Sequence, residues 1–353
     1  MPSFRVGVVS DIIEARAGLQ RVHVDLGAGG ERAYVLTQLT GPVSAGDRVV
    51  VNTTAVELGL GTGGWHVVHW NLARDTWSEA GSGHIMKARY TSLQTDTGAS
   101  EEQWAELAHV NSIDGMPVVA ASLHSQLPAI ALAFKHVRPR AKLAYVMTDG
   151  AALPLALSDL AFELRGHELI DCAITAGHAF GGDYEAVSVY SALAVARHVA
   201  QADAAVVVMG PGIVGTATRL GFSGIEMGPV LDAVAGLQGV PIAALRVSFA
   251  DPRERHQGVS HHSLTTLTIA TRSRVQIALP CVGGDEEKAI RSDLTTAGID
   301  ARHEIVDVEP IGIVDRLAER GIEVVSMGRP AADDPVLFEA AAAAGISAAR
   351  AVS

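Results

Sequence analysis

From about residue 115 to the end, short apolar runs alternate with longer helical segments, and this rhythm constrains the fold more than any single motif. Strands are expected at 117–121, 143–147, 168–175, 204–209, 241–247, 264–269, 275–279, 304–308 and 323–327. Helices are expected at 127–136, 153–164, 185–199, 227–237, 285–297, 312–320 and 335–344. Wholly apolar strands separated by helices predict a largely parallel sheet covered on both faces, because a strand buried on both sides has no polar face to alternate with. No period of 20–50 residues repeats clearly enough for a solenoid.

The first 70 residues have a different pattern. Short strands at 5–9, 21–24, 32–36, 48–52 and 65–70 are separated by turn signals such as Gly41-Pro42 and Gly46-Asp47, and the Gly27–Gly30 stretch provides a tight connection. Five such strands predict a small β-barrel of SH3-like or OB-like type. The expected architecture is therefore α/β: a small N-terminal β-barrel followed by a three-layer, largely parallel α/β/α domain. The barrel spans 1–75, a linker and lead-in spans 76–114, and the α/β domain spans 115–353. A strand at 84–90 would lead into the second domain.

Charge separates the two parts. Residues 1–90 hold as many acidic as basic residues, so the whole excess of −12 falls after them. Neither part carries the clustered Lys and Arg that a broad nucleic-acid footprint requires. The groups at Arg138–Lys142 and Arg253–Arg255 are short and read as solvated loop edges. The run 115–134 has no formal charge but contains His124, Gln126 and Pro128, which suit a soluble core better than hydrocarbon. With two isolated cysteines and no basic, apolar leader at its start, the chain reads as cytoplasmic, without a membrane span.

Three loops at expected strand ends carry the chemistry. Gly210, Gly212 and Gly215 have Gly-x-Gly-x-x-Gly spacing after an apolar strand, where small residues let backbone amides approach an anion; Thr216 follows them. No Lys precedes Thr216, which excludes a P-loop. No acidic residue closes a convincing strand some 20 residues on, which weakens a dinucleotide site. In the second loop, His178 is a candidate base or ligand and Asp183 a candidate orienter, metal ligand or helix cap. In the third, His256, His261 and His262 fall within seven positions beside Arg253 and Arg255. Imidazole suits proton transfer or metal binding near neutral pH, although adjacent His261 and His262 point oppositely in an extended chain.

The stretches Ala33–Pro42, Val51–Ala55, Gly83–Lys87, Gly258–His262 and Ser326–Arg329 resemble, in that joint order, an actinobacterial domain family of unknown function, DUF3866. The likeness covers nearly the full chain, both expected domains included. It implies a bacterial cytoplasmic protein and brings no reaction, cofactor or catalytic residue with it.

The leading expectation is an enzyme acting on a small anionic or phosphorylated metabolite. Gly210, Gly212, Gly215 and Thr216 would contact the anion. His178, His261 and His262 would be acid–base candidates, with Asp183 beside them. Neither a cofactor nor a metal is specified. A non-catalytic binding or scaffolding protein, with the acidic domain as a platform for a homo-oligomer, is the alternative. Nucleic-acid binding through the barrel would require basic and aromatic side chains to converge there.

Overall fold

A computed structural model of the chain describes residues 2–27, 29–81 and 83–353. Ala28, in the Gly27–Gly30 connection, and Ser82, in the polar stretch ahead of residue 84, lie outside the described residues. The chain divides into two compact units, Met1–Gly98 and Ala99–Ser353.

The first unit is a closed five-stranded barrel of β1 (Phe4–Arg16), β2 (Leu19–Asp25), β3 (Gly30–Leu36), β4 (Arg48–Asn52) and β5 (His66–Asn71), in the order β1-β2-β3-β5-β4. β1 pairs antiparallel with both β2 and β4 and so closes the barrel, while β3 and β5 run parallel. Period-two alternation turns Val22 and Val24, Ala33 and Val35, and Val49 and Val51 into one interior cluster. The buried Gln20 amide is satisfied in both directions: it donates to the Val43 carbonyl and accepts from the Val43 amide, at 3.1 and 2.8 Å.

The second unit holds eight parallel strands. They are β6 (Pro117–Ala120), β7 (Leu143–Thr148), β8 (Cys172–Ala176), β9 (Tyr184–Ala186), β10 (Ala204–Met209), β11 (Val240–Ala244), β12 (Gln276–Pro280) and β13 (Glu304–Val308). Their order across the sheet is β9-β8-β7-β10-β6-β11-β12-β13. Successive side chains face opposite layers. Val119, Tyr145, Val206 and Val208 join the cluster containing α1 (Leu127–Val137) and α2 (Asp159–Gly166). Val118, Ala120, Val146 and Val207 join the one containing α3 (Val189–Ala194) and α4 (Met227–Gly236). The expected α/β/α layering is therefore present. Four further helices complete it: α5 (His261–Thr265), α6 (Gly284–Thr296), α7 (Ile313–Glu319) and α8 (Pro335–Ala351).

Helix α8 is itself rich in Ala and carries one glycine, Gly345. It lies against α1 so closely that a Cβ on Gly345 would sit 2.2 Å from the Ile130 carbonyl oxygen. Only small residues allow that approach. No helix among the described residues is long and apolar enough to cross a membrane.

Several expected elements differ in the structure. The run 264–269 is helical, as α5 followed by a π turn at Thr266–Ala270. Its β-branched threonines are accommodated by bonding back to the helix: the Thr268 hydroxyl donates to the Leu264 carbonyl at 2.7 Å. The expected helix 185–199 begins only after Ser188, which caps α3 by accepting from the Ser191 amide, and Tyr184–Ala186 forms the edge strand β9. Of the expected strands 84–90 and 323–327, only Met86–Lys87 and Val325–Ser326 pair, each in a two-residue ladder.

Candidate functional site

Strands β6 and β10 are neighbours, yet the helices that follow them, α1 and α4, pack on opposite faces of the sheet. The divergence opens a crevice beyond their carboxyl ends, the topological switch point where open parallel sheets bind ligands. The glycine-rich loop leaves β10 at this point. Gly210 lies where a Cβ would be 2.7 Å from the Ala152 carbonyl oxygen, and Gly212 has φ 104°. Both positions require glycine.

The loop then folds back on itself. Gly215 bridges to Phe222, and the Thr216 amide and hydroxyl both donate to the Gly221 carbonyl, at 2.8 and 3.1 Å. The Thr216 donors are thus spent within the loop. Its exposed tip carries Arg219, and its base presents Pro211, Gly212 and Ile213 to a second, smaller cavity.

Behind the loop stands the third candidate motif, now compact. Ser260 caps α5, accepting from the His262 amide at 3.3 Å, so His261 and His262 occupy a helix start instead of an extended strand. Their ring centroids are 4.3 Å apart, and each lies 5.0 Å from that of His256. Phe222 stacks face to face on His262 at 3.9 Å and meets His261 edge-on. Gly215 also approaches His262, whose Cε1 would lie 3.8 Å from a Cβ there. The loop and the histidine motif are one structural unit.

Charge surrounds the trio. Arg246, on the segment following β11, is 3% exposed and donates to His262 Nδ1 at 3.1 Å. It also lies 3.6 Å from Asp251, which is fully buried and accepts two bonds from the Arg253 guanidinium, one from the Arg253 amide and one from Arg329. Arg329 bonds Asp334 as well, and Asp334 accepts from Ser248 at 2.6 Å. The Arg253 hydrogen bonds hold the Asp251 carboxyl well below the ordinary carboxylate range. Burial, reinforced by Arg246, lowers His256 and His262 to about 3. Burial and then Arg255 lower His261. All three imidazoles are neutral at pH 7.

A cavity of about 580 Å³ opens beside the trio, lined by His261, Arg219, Arg255, Leu264, Thr265 and Thr268 among others. Among the described residues, Arg219 and Arg255 have no ion pair, and His261 Nε2 is buried without a hydrogen-bond partner.

The three histidines could enclose a metal by distance, since one nitrogen of each lies within 4.8 Å of the others. The surroundings oppose it. The Arg246 donor at Nδ1 places the His262 proton on Nε2, leaving that ring no spare lone pair, and the guanidiniums repel a cation. The donor set suits an anion better.

His178 and Asp183 lie elsewhere on the sheet. Asp149, after β7, accepts the His178 amide at 2.9 Å. Asp183 pairs with Arg165 and accepts the Ala173 amide, both at 2.8 Å. Near that end of the sheet is a carboxylate with no motif around it: Glu226, raised to about 7 by burial and accepting from the Thr148 hydroxyl. Nothing in its sequence context marks it. Arg246 was equally inconspicuous inside an expected strand, and Arg253 chelates Asp251 instead of edging a loop.

In the barrel, Tyr34 and Trp65 stack at 4.7 Å with Arg32 over the Trp65 ring. Arg21 beside them pairs with Glu14, and Arg32 donates to the Gly63 carbonyl. The aromatic faces therefore cover each other instead of offering a platform to bases.

No protein of curated function matches the chain. The family described as "Protein of unknown function (DUF3866)" matches residues 32–345, which include β4, β5 and most of β3 in the barrel, the glycine-rich loop, the histidine trio and Arg329. The Gly258–His262 and Ser326–Arg329 stretches meet through the Arg246, Asp251 and Arg329 network. The chain belongs to the DUF3866 family.

Proposed function

We propose that this protein is a cytoplasmic enzyme acting on a small anionic, phosphate-bearing metabolite bound in the cavity beside His261. The observation that carries this reading is the pairing of two guanidiniums, Arg219 and Arg255, free of ion pairs among the described residues, with a neutral imidazole on the same wall. In a chain with net charge −12, two unneutralised cations at a cavity favour an anionic occupant. The arginines would hold the anion and offset charge developing on its oxygens. His261, neutral and with an unpartnered nitrogen, would accept a proton from the attacking group and return it to the leaving group. Phe222, His262 and Gly215 would keep its rear wall rigid. His178 and Asp183 stand outside this cluster and take no part in the proposed binding.

Calorimetric titration with inorganic phosphate, then with a panel of phosphorylated and carboxylated metabolites, tests the proposal. Binding should weaken with salt and fall roughly ten- to hundredfold in Arg219→Ala or Arg255→Ala, since a charge-assisted hydrogen bond contributes about 1.5–3 kcal/mol. Absence of binding by every anion, or equal affinity in the double variant, would refute it.

A further inference from the structure

The second cavity, of about 300 Å³, occupies the switch-point crevice itself and contains a pairing that the proposed anion site does not use. His124, just beyond β6, has its Nδ1 3.1 Å from the Met209 carbonyl oxygen at the end of β10. A carbonyl only accepts, so Nδ1 carries the ring proton; the Tyr145 hydroxyl lies 3.4 Å from the same nitrogen. Nε2 is then a lone pair. It faces the Ser158 hydroxyl at 2.7 Å, and that hydroxyl must be the donor. Ser158 Oγ also accepts the Ala161 amide at 2.9 Å, as the cap of α2.

From this geometry we infer that Ser158 is a nucleophile activated by His124, and that the crevice takes small apolar acyl esters. A hydroxyl within hydrogen-bond reach of a base, with the base oriented by a third group, is the arrangement that nucleophilic catalysis requires. Capping alone requires Ser158 to accept an amide; it does not require a histidine whose tautomer is set by a separate strand end. Ser158 is 2% exposed, so a reagent reaches it only through this cavity. The cavity wall is apolar at Leu123, Leu157, Leu160 and Ile213, which suits an acyl chain, and polar where the Ser125 hydroxyl donates to Ser326 at 2.9 Å.

The step balances without a cofactor. Ser158 Oγ bonds to the acyl carbon as its proton passes to His124 Nε2. The ester C–O bond then breaks, and the departing alkoxide takes that proton. Water repeats the sequence on the acyl-serine, with His124 again accepting and returning a proton, which releases the carboxylic acid and restores Ser158.

A fluorophosphonate probe, applied to the full chain and followed by peptide mass spectrometry, tests the inference. Labelling should fall on Ser158, vanish in Ser158→Asp (an aspartate still caps α2 and keeps the fold), and slow about a hundredfold or more in His124→Gln. No label on the folded wild type, a label on another residue, or an unchanged rate in His124→Gln would overturn it. Where His124→Gln fails to fold, the position of the label alone decides. Phosphate affinity should be the same in Ser158→Asp as in wild type, so this inference and the anion-site proposal fail or survive separately.

Discussion

At His262 the nitrogen Nδ1 receives an N–H from Arg246, whereas at His124 the same nitrogen gives its N–H to the Met209 carbonyl. Burial is the leading cause that lowers both rings, to about 3 and about 4, so both are neutral at pH 7. Burial alone therefore does not say what a histidine does. The partner at Nδ1 decides which nitrogen keeps a lone pair, and hence which ring can act as a base on its other side. His262 is turned into a wall; His124 is turned towards Ser158. The two centres share one loop: its tip reaches the trio's cavity and its base the crevice beside His124.

The largest test of this contrast is to remove the donor. Arg246→Ala strips His262 of its Nδ1 hydrogen bond and leaves Asp251 buried with Arg253 and Arg329 as its remaining partners. Breaking a buried charge network from one side costs about 3–5 kcal/mol, and the remaining guanidiniums place this case near 3. Urea unfolding should show it. At the other centre, Ser158→Ala should cost only about 1 kcal/mol, the usual loss of a helix cap, and Ser158→Asp should recover most of it. If the two losses were equal, the cationic network would not be what holds the trio in place.

Acid separates the centres further. An imidazole that stays neutral in the folded chain takes up a proton on unfolding once pH falls below about 6.5. The unfolded state then binds more protons, so stability falls as pH drops. The fall runs from about 6.5 towards 4 for His124 and towards 3 for His256 and His262. Above pH 7 these groups contribute no slope. Glu226 acts in reverse: raised from 4.5 to about 7, it favours the folded state below 4.5, and that contribution is lost as pH rises through 7. A Glu226→Gln background removes the opposing slope. Saturating phosphate should raise the trio's folded pKa values and shrink the acid loss, leaving the His124 share untouched. Urea midpoints from pH 7 to 4, with and without phosphate, measure both.

What could be foreseen follows the same division between local and long-range causes. The five barrel strands and the parallel sheet announce themselves through periods of two and through apolar runs such as 204–209, which neighbours along the chain suffice to set. The gathering of His256, His261 and His262 was visible as density in the sequence, but not their geometry, because the helix start at Ser260 was hidden in a run of strand-favouring Leu, Thr and Ile. Arg246, Ser158, Met209 and Glu226 could not be read at all. Each takes its role from a partner on another element, 16 to 85 residues away along the chain, with which it shares no motif.

The smallest expected effect concerns metal. With Arg246 present, zinc added to the wild type should leave the melting temperature unchanged and be lost on desalting, because His262 has no free nitrogen and the neighbouring guanidiniums repel the ion. Arg246→Met keeps the apolar volume while freeing His262 Nδ1 and removing the guanidinium that touches it. His256, His261 and His262 would then present three neutral nitrogens within 4.8 Å, a set that zinc accepts with a fourth position open to the cavity. That variant should retain zinc measurably by elemental analysis and lose phosphate affinity only modestly, since Arg219 and Arg255 remain. Stoichiometric zinc in the wild type would break the contrast outright: it would mean that Arg246 yields His262, and that the trio is a metal centre after all.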